Sequence, residues 1–406
     1  MTGLSVAVVG AGPAGSTAAR LLAGRGAQVA IFEAARLPRP KLCGGGLTPK
    51  AQRLVPAEAL ATVERRVERA ELRGGHLPAL RLHIPEAPIA MVDRARFDLA
   101  LAEAAAAAGS TILDGQPLRG LVETDDGVIV RTERGAARFD ALVAADGEPS
   151  HVARWLNLGG AARRRALALE VDLPLAEGLP ADTAILAYAV PGGYAWYFPK
   201  ADHANLGIGS YRADRQRSLR DDLARFARDL GLDAGQAHIR GHWIPAGLRD
   251  GALGTRRVLL AGDAAATADP FFGEGISYAI LSGVVAAQAI DEWASGTLSD
   301  LRSYDARLRL ALGPALRELG WFAKLAELST PLSLAAVRFS GAVRKGAIDA
   351  IAGRRAPFAP EGHCDVACLC AACEMRRGVG RPMEVGPACD SLPTAWTPEP
   401  GAIAGA

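Results

Sequence analysis

The chain opens with an apolar run, Ser5 to Val9, that reads as a strand. A glycine turn and apolar positions at helical spacing to Arg25 follow it, then a second apolar strand, Gln28 to Phe32. A Pro/Gly-rich segment covers Leu37 to Pro49. Beyond it the apolar periodicity becomes helical from Asp93 through Phe97 to about Ala108, where Gly109 stops it. Short alternating runs fill Leu121 to Phe139, and a buried strand ends at Ala145, broken by Asp146-Gly147. From Arg163 to about Pro245 the pattern is strand-rich and aromatic, apart from a charged helical stretch near Leu219 to Leu230. Strand, turn and helix then return together, in Val258 to Ala261 and in a long apolar helix from Ile276 to about Trp293. Helical periodicity continues to about Gly353, after which prolines interrupt every candidate element.

This alternation predicts an α/β fold. Residues 1–162 and 246–300 form a discontinuous nucleotide-binding unit of Rossmann-like, glutathione-reductase type, and residues 163–245 an inserted α+β substrate domain. Residues 301–355 supply C-terminal helices, and 356–406 a Cys/Pro-rich tail, flexible or metal-binding.

Composition narrows the function. Of the 406 residues, 50% are hydrophobic and 22% charged, as in a soluble globular protein, and the net charge of +2 gives no electrostatic case for nucleic acid. The N-terminus runs straight into a strand with no signal-peptide pattern, so a cytoplasmic protein is expected, with any membrane contact peripheral; a monomer is the expectation for an oligomeric state that the sequence leaves open. Cys43 stands apart from five cysteines crowded between Cys364 and Cys389.

Gly10-Ala11-Gly12-Pro13-Ala14-Gly15 lies between the first strand and the first helix. Gly10 permits the tight turn, Gly12 the approach of a pyrophosphate and Gly15 the packing of helix on strand, while the positive helix end faces the phosphates. Glu33 ends the second strand, 18 residues beyond Gly15, where a carboxylate can accept from the ribose hydroxyls of an ADP moiety. NAD and FAD share that half.

Two later segments choose between them: Leu142-Val143-Ala144-Ala145-Asp146-Gly147, and Gly262-Asp263-Ala264-Ala265 followed by Asp269-Pro270-Phe271-Phe272-Gly273-Glu274-Gly275. Together with the first motif they resemble the signatures of the para-hydroxybenzoate-hydroxylase-like flavoprotein superfamily. The resemblance implies FAD, with Asp146-Gly147 beside the pyrophosphate. Asp263 is placed to accept from a ribityl hydroxyl, which NAD lacks. Gly273, Gly275 and the helix start at Ile276 aim backbone N–H groups at the flavin pyrimidine.

Within that superfamily the chain resembles the geranylgeranyl reductase branch. Pro40-Lys41-Leu42-Cys43-Gly44-Gly45-Gly46-Leu47 is similar to its flavin-side loop, Tyr194-Ala195-Trp196-Tyr197-Phe198-Pro199 to its substrate-cavity motif, and the Pro-x-x-Gly-Glu-Gly form to its third. Strand alternation puts Tyr194, Trp196 and Phe198 on one face, an aromatic wall suited to an apolar chain or simply to a core. The tryptophan-rich motif of flavin halogenases is incomplete here. The resemblance implies hydride delivery from reduced flavin to an isoprenoid double bond, with NAD(P)H or reduced ferredoxin as electron donor and a prenyl-type small molecule as substrate. An oxygen-using aromatic hydroxylase is the rival.

Cys43 is the first candidate for the proton donor and Tyr194 the second. A small side chain tolerated in a tight loop is the alternative reading of Cys43, and Lys41 and Arg94 are expected to position cofactor phosphates. Cys364, Cys368, Cys370 and Cys373 could ligate zinc or an iron–sulfur cluster, although their spacing matches neither a zinc ribbon nor a common ferredoxin run. A redox dithiol and an inert tail stay open.

Overall fold

A computed structural model describes residues 3–352 except 75, 76, 86, 189, 213, 215, 216 and 236. In chain order, the elements that build the site are β1 (Ser5–Val9), α1 (Pro13–Gly24), β2 (Gln28–Phe32), β3 (Arg69–Gly74), β4 (Leu77–His83), α2 (Arg94–Ala107) and β5 (Thr111–Leu113). They continue with β6 (Ala141–Ala144), β7 (Ala162–Pro174), β8 (Thr183–Ala187), β9 (Gly193–Pro199), β10 (His203–Ser210), α3 (Leu219–Asp229) and β11 (Arg240–Arg249). The last are β12 (Val258–Leu260), α4 (Ile276–Ala294), α5 (Tyr304–Leu328), α6 (Thr330–Phe339) and α7 (Gly341–Ala352).

The expected Rossmann-like domain is present as a five-stranded parallel sheet in the order β12-β6-β1-β2-β5. Its strands carry Val, Ile, Leu and Ala on both faces: α1 and α4 lie on one side, and a three-stranded antiparallel sheet within residues 120–139 adds Val128, Val130 and Phe139 to the same buried cluster. β12 returns to this sheet after more than a hundred residues elsewhere, which makes the domain discontinuous.

The second sheet has seven strands in the order β11-β7-β10-β9-β8-β3-β4. Here the boundary at residue 163 needs correction. β3 and β4 come from residues 69–83, which the sequence places in the nucleotide-binding unit, yet β3 pairs in parallel with β8 from Thr183↔Arg69 to Ala187↔Arg73. Alternation shows that a segment is a strand but says nothing of which sheet receives it. One face of this sheet packs on α3, whose Leu219, Leu223 and Phe226 bury against Tyr197, Leu206 and Ile208. Of the C-terminal helices, α5 packs against β11 and α6 against β3. Among the described residues no helix is long and apolar enough to cross a membrane.

Candidate functional site

All three glycine-containing turns and the aromatic strand line one cavity of about 880 Å³. At its nucleotide end Gly10 adopts φ +98°, and a Cβ there would lie 2.3 Å from the Ala145 carbonyl oxygen, so only glycine lets β1 and β6 approach. Pro13 occupies the first turn of α1, and no side chain caps the preceding Gly12, so the helix N–H groups face the cavity. A Cβ on Gly12 would project into a cradle whose nearest atom, the Arg39 guanidinium, is 3.9 Å away. Ala14 packs against the Gly262 turn and against α4, which brings the first and third motifs together. Glu33 Oε2 accepts from the Ala11 amide at 2.9 Å and pairs with Arg39 at 3.1 Å. These residues fit a dinucleotide: open amides, a cation and a carboxylate for ribose.

The other expected cofactor residues divide. Asp146 and Gly147 line the cavity, but the Asp146 carboxylate accepts from the Ser150 hydroxyl and from the amides of His151 and Val152 and so caps the short helix behind it. Asp263 remains part-exposed, 3.8 Å from Lys41. Gly273, Gly275 and Ile276 border the cavity at the start of α4, whereas Pro270 does not line it and lies beside Gly320 of α5. The placement of Arg94 does not suit the phosphate role expected for it. Its guanidinium binds Asp98 through two 2.9 Å bonds. Burial opposes its charge, and Asp98 and Cys43 more than compensate. Arg39, which sequence reasoning missed, lies over the dinucleotide turn instead.

At the other end the loop of Cys43 rests on the aromatic wall. A Cβ on Gly44 would stand 2.7 Å from the Phe198 ring and 3.2 Å from Trp196 Nε1. Tyr194, Trp196 and Phe198 share the cavity face, with ring centroids 6.0 and 6.4 Å apart along the ladder, and Tyr188 extends it. Trp196 is fixed by a 2.8 Å bond from its indole nitrogen to Asn205. The Tyr194 hydroxyl donates to the Phe272 carbonyl, and burial holds its pKa far above that of an ordinary phenol, so it is a poor acid.

Further buried groups gave no sequence signal. Lys200, directly after the aromatic strand, donates to the Gly44 and Val92 carbonyls at 2.6 and 2.8 Å, and burial lowers its pKa. Lys50 pairs with Glu274 at 3.0 Å, which also accepts from Thr48. Burial, with help from Glu274, lifts Asp269 to about pKa 6, and burial lowers His242 to about 4. Cys364, Cys368, Cys370 and Cys373 lie outside the described residues.

Residues 3–171 match the FAD binding domain family. Geranylgeranyl diphosphate reductase of Rhodobacter capsulatus is 32% identical over 321 residues, covering 73% of this chain and 77% of that protein. The digeranylgeranylglycerophospholipid reductase of Thermoplasma volcanium is 30% identical over 329 residues, covering 71% and 78%. A geranylgeranyl bacteriochlorophyll reductase-like protein of Thermoplasma acidophilum superposes with a TM-score of 0.71 at 26% identity, over 83% of this chain and 92% of that one. With the dinucleotide turn, the Asp263 segment and the aromatic wall on one cavity, the chain belongs to the geranylgeranyl reductase family of FAD-dependent oxidoreductases.

Proposed function

We propose that this protein reduces carbon–carbon double bonds of an isoprenoid chain. The observation that carries this is the apolar extension of the cavity. Beyond the aromatic wall it is lined by Leu72 and Leu82 from β3 and β4, Leu186 from β8, and Leu334 and Val337 from α6, as an extended hydrocarbon requires. The names of the related reductases support the same substrate class.

FAD, when bound and reduced, supplies the hydride. The chain's own residues do the rest. Trp196 and Phe198 give the alkene a flat apolar surface, and the packing of Gly44 against them keeps the Cys43 loop close to that surface. The apolar walls exclude water from the reacting carbon. Of the two candidate acids, Cys43 is the proton donor in this reading, because the Tyr194 hydroxyl is held by a carbonyl. NAD(P)H and reduced ferredoxin both remain suitable electron donors. A lipid surface fits as the source of substrate: α5 and α6 carry the cavity residues Leu319, Ala326 and Leu334 on one side and exposed Trp321, Leu325, Leu328, Leu332 and Phe339 on the other.

The test is anaerobic incubation of the chemically reduced protein with a panel of prenyl lipids, read by mass spectrometry. The expected product gains two hydrogens per reduced bond. Absence of any such product, with NAD(P)H oxidation that requires oxygen and an aromatic compound, would replace this reading by the hydroxylase.

A further inference from the structure

Beside the start of α4 the cavity wall holds a buried ion pair that the proposed reduction does not use. Lys50, 4% exposed on the short helix Pro49–Gln52, sends its ammonium to Glu274 Oε2 at 3.0 Å. The Thr48 hydroxyl donates to Glu274 Oε1 at 2.8 Å and accepts from the Ala51 amide at the head of that short helix. The same ammonium lies 4.0 Å over the ring of Tyr278, in the first turn of α4. Burial opposes the charge of Lys50, and its neighbours, Glu274 foremost, more than restore it. Thr48, Lys50, Glu274 and Tyr278 all line the cavity.

The two glycines that flank Glu274 fix where this charge acts. A Cβ on Gly275 would be 3.9 Å from Asp263 Oδ1, and one on Gly273 3.7 Å from the Tyr194 hydroxyl, so Glu274 stands between the ribityl acceptor and the aromatic wall. No side chain caps α4 at Gly275, and the turn before it is held by Asp269, which accepts from the Phe271 and Phe272 amides at 2.7 Å. Glu274 therefore serves neither the helix start nor the turn. The positive end of α4 attracts an acid but repels Lys50, so helix electrostatics do not account for the pair. Stability does not account for it either, since apolar groups of the same volume do as well as a buried ion pair.

We propose that Lys50 and Glu274 act as a matched pair that sets the reduction potential of bound FAD, Lys50 cancelling the carboxylate so that the α4 amides act on the flavin pyrimidine unopposed. The pyrimidine gains negative charge on reduction, which a lone Glu274 resists and a lone Lys50 favours. Removing one partner or the other shifts the potential in opposite directions, which a general loss of packing does not do. The inference goes beyond alkene reduction and holds for any substrate, but it rests on the placement of the pyrimidine at Gly273–Gly275.

The experiment measures the midpoint potential of bound FAD by anaerobic equilibration with a reference dye, in full-length flavin-loaded protein at pH 7 and pH 8.5. Both values lie above the pKa of about 6 of Asp269, the other buried acid of this turn, so that group is ionised throughout. At pH 7 an ammonium without its partner stays protonated. Glu274→Gln should there raise the reduced-to-oxidised ratio at fixed potential about tenfold, about 30 mV upward for a two-electron couple. At pH 8.5 a carboxylate without its partner stays ionised, and Lys50→Met should lower the ratio by a similar factor. The double variant should stay within about threefold of wild type at both pH values, as should Lys50→Arg, which keeps the cation. Shifts of the same sign in the two single variants overturn the proposal, as does a double variant displaced as far as either. If Glu274→Gln does not retain FAD, Lys50→Met and Lys50→Arg decide on the same criteria. Wild-type potentials in every variant at full FAD loading defeat the pairing alone and leave the FAD assignment standing, whereas a wild-type protein that binds no FAD defeats both.

Discussion

Replacing Gly44 by alanine tests whether contact between the Cys43 loop and the aromatic wall sets the rate of reduction. The added Cβ would stand 2.7 and 2.8 Å from two carbons of the Phe198 ring, whereas carbon atoms rest at about 3.5–4.0 Å, so loop and ring must part by about 1 Å. Phe198 is braced by Trp196 in the ladder and Trp196 by Asn205, which makes the loop the element that moves. A misplacement of about 1 Å at a reacting centre costs roughly a hundredfold in rate, or about 2.7 kcal/mol in barrier. FAD content should stay near wild type, since the dinucleotide turn and Asp263 are untouched. The assay is anaerobic single-turnover oxidation of the reduced flavin by a prenyl substrate, with flavin absorbance as the measure of loading. Phe198→Leu removes the ring edge and should restore most of the rate in the Gly44→Ala background. Full activity in Gly44→Ala alone, or no recovery in the double variant, refutes the reasoning.

Two further outcomes follow from buried and exposed groups. Glu170 is 1% exposed, one of its oxygens has no hydrogen-bond partner among the described residues, and burial pushes its pKa from 4.5 up to about 7. The folded protein therefore holds this proton to higher pH than the unfolded chain does, so stability is lost as pH rises from about 4.5 to 7. Glu170→Gln should recover up to about 3 kcal/mol at pH 8 and almost nothing at pH 4.5, where the folded protein already holds the Glu170 proton. A difference in melting temperature that does not widen with pH would contradict this. The apolar outer faces of α5 and α6 should carry the protein to the top of a sucrose gradient with anionic vesicles, and Leu328→Ser with Phe339→Ser should abolish flotation; a wild-type protein that stays at the bottom removes the lipid-surface reading.

What the sequence revealed was local. Gly10 to Gly15, Asp263 and the alternation of Tyr194, Trp196 and Phe198 each express a rule that acts within a few residues, a tight turn or a period of two, and the fold class followed from their order. Arg39, Asp98 and Lys200 escaped because their meaning lies in partners 59 and 156 residues away, for which no spacing rule exists. Arg94 shows the same limit from the other side. An arginine at the head of a helix near a dinucleotide site suggested a phosphate, but Asp98 one turn later claims its guanidinium. The membership of β3 and β4 was hidden for a related reason, since parallel pairing with β8 joins segments more than a hundred residues apart.

That pairing bears on how substrate preference can be exchanged between relatives. The sheet that lines the apolar end of the cavity is woven from two stretches of the gene, so a cassette cut at residues 163 and 245 would carry β8 away from its native neighbour β3. The recipient would supply a foreign edge, and cavity residues Ala70, Leu72 and Leu82 would keep the old contour while Leu186 and Trp196 took the new one. A working graft has to move residues 69–83 together with 162–249, as two inserts that are chosen as one.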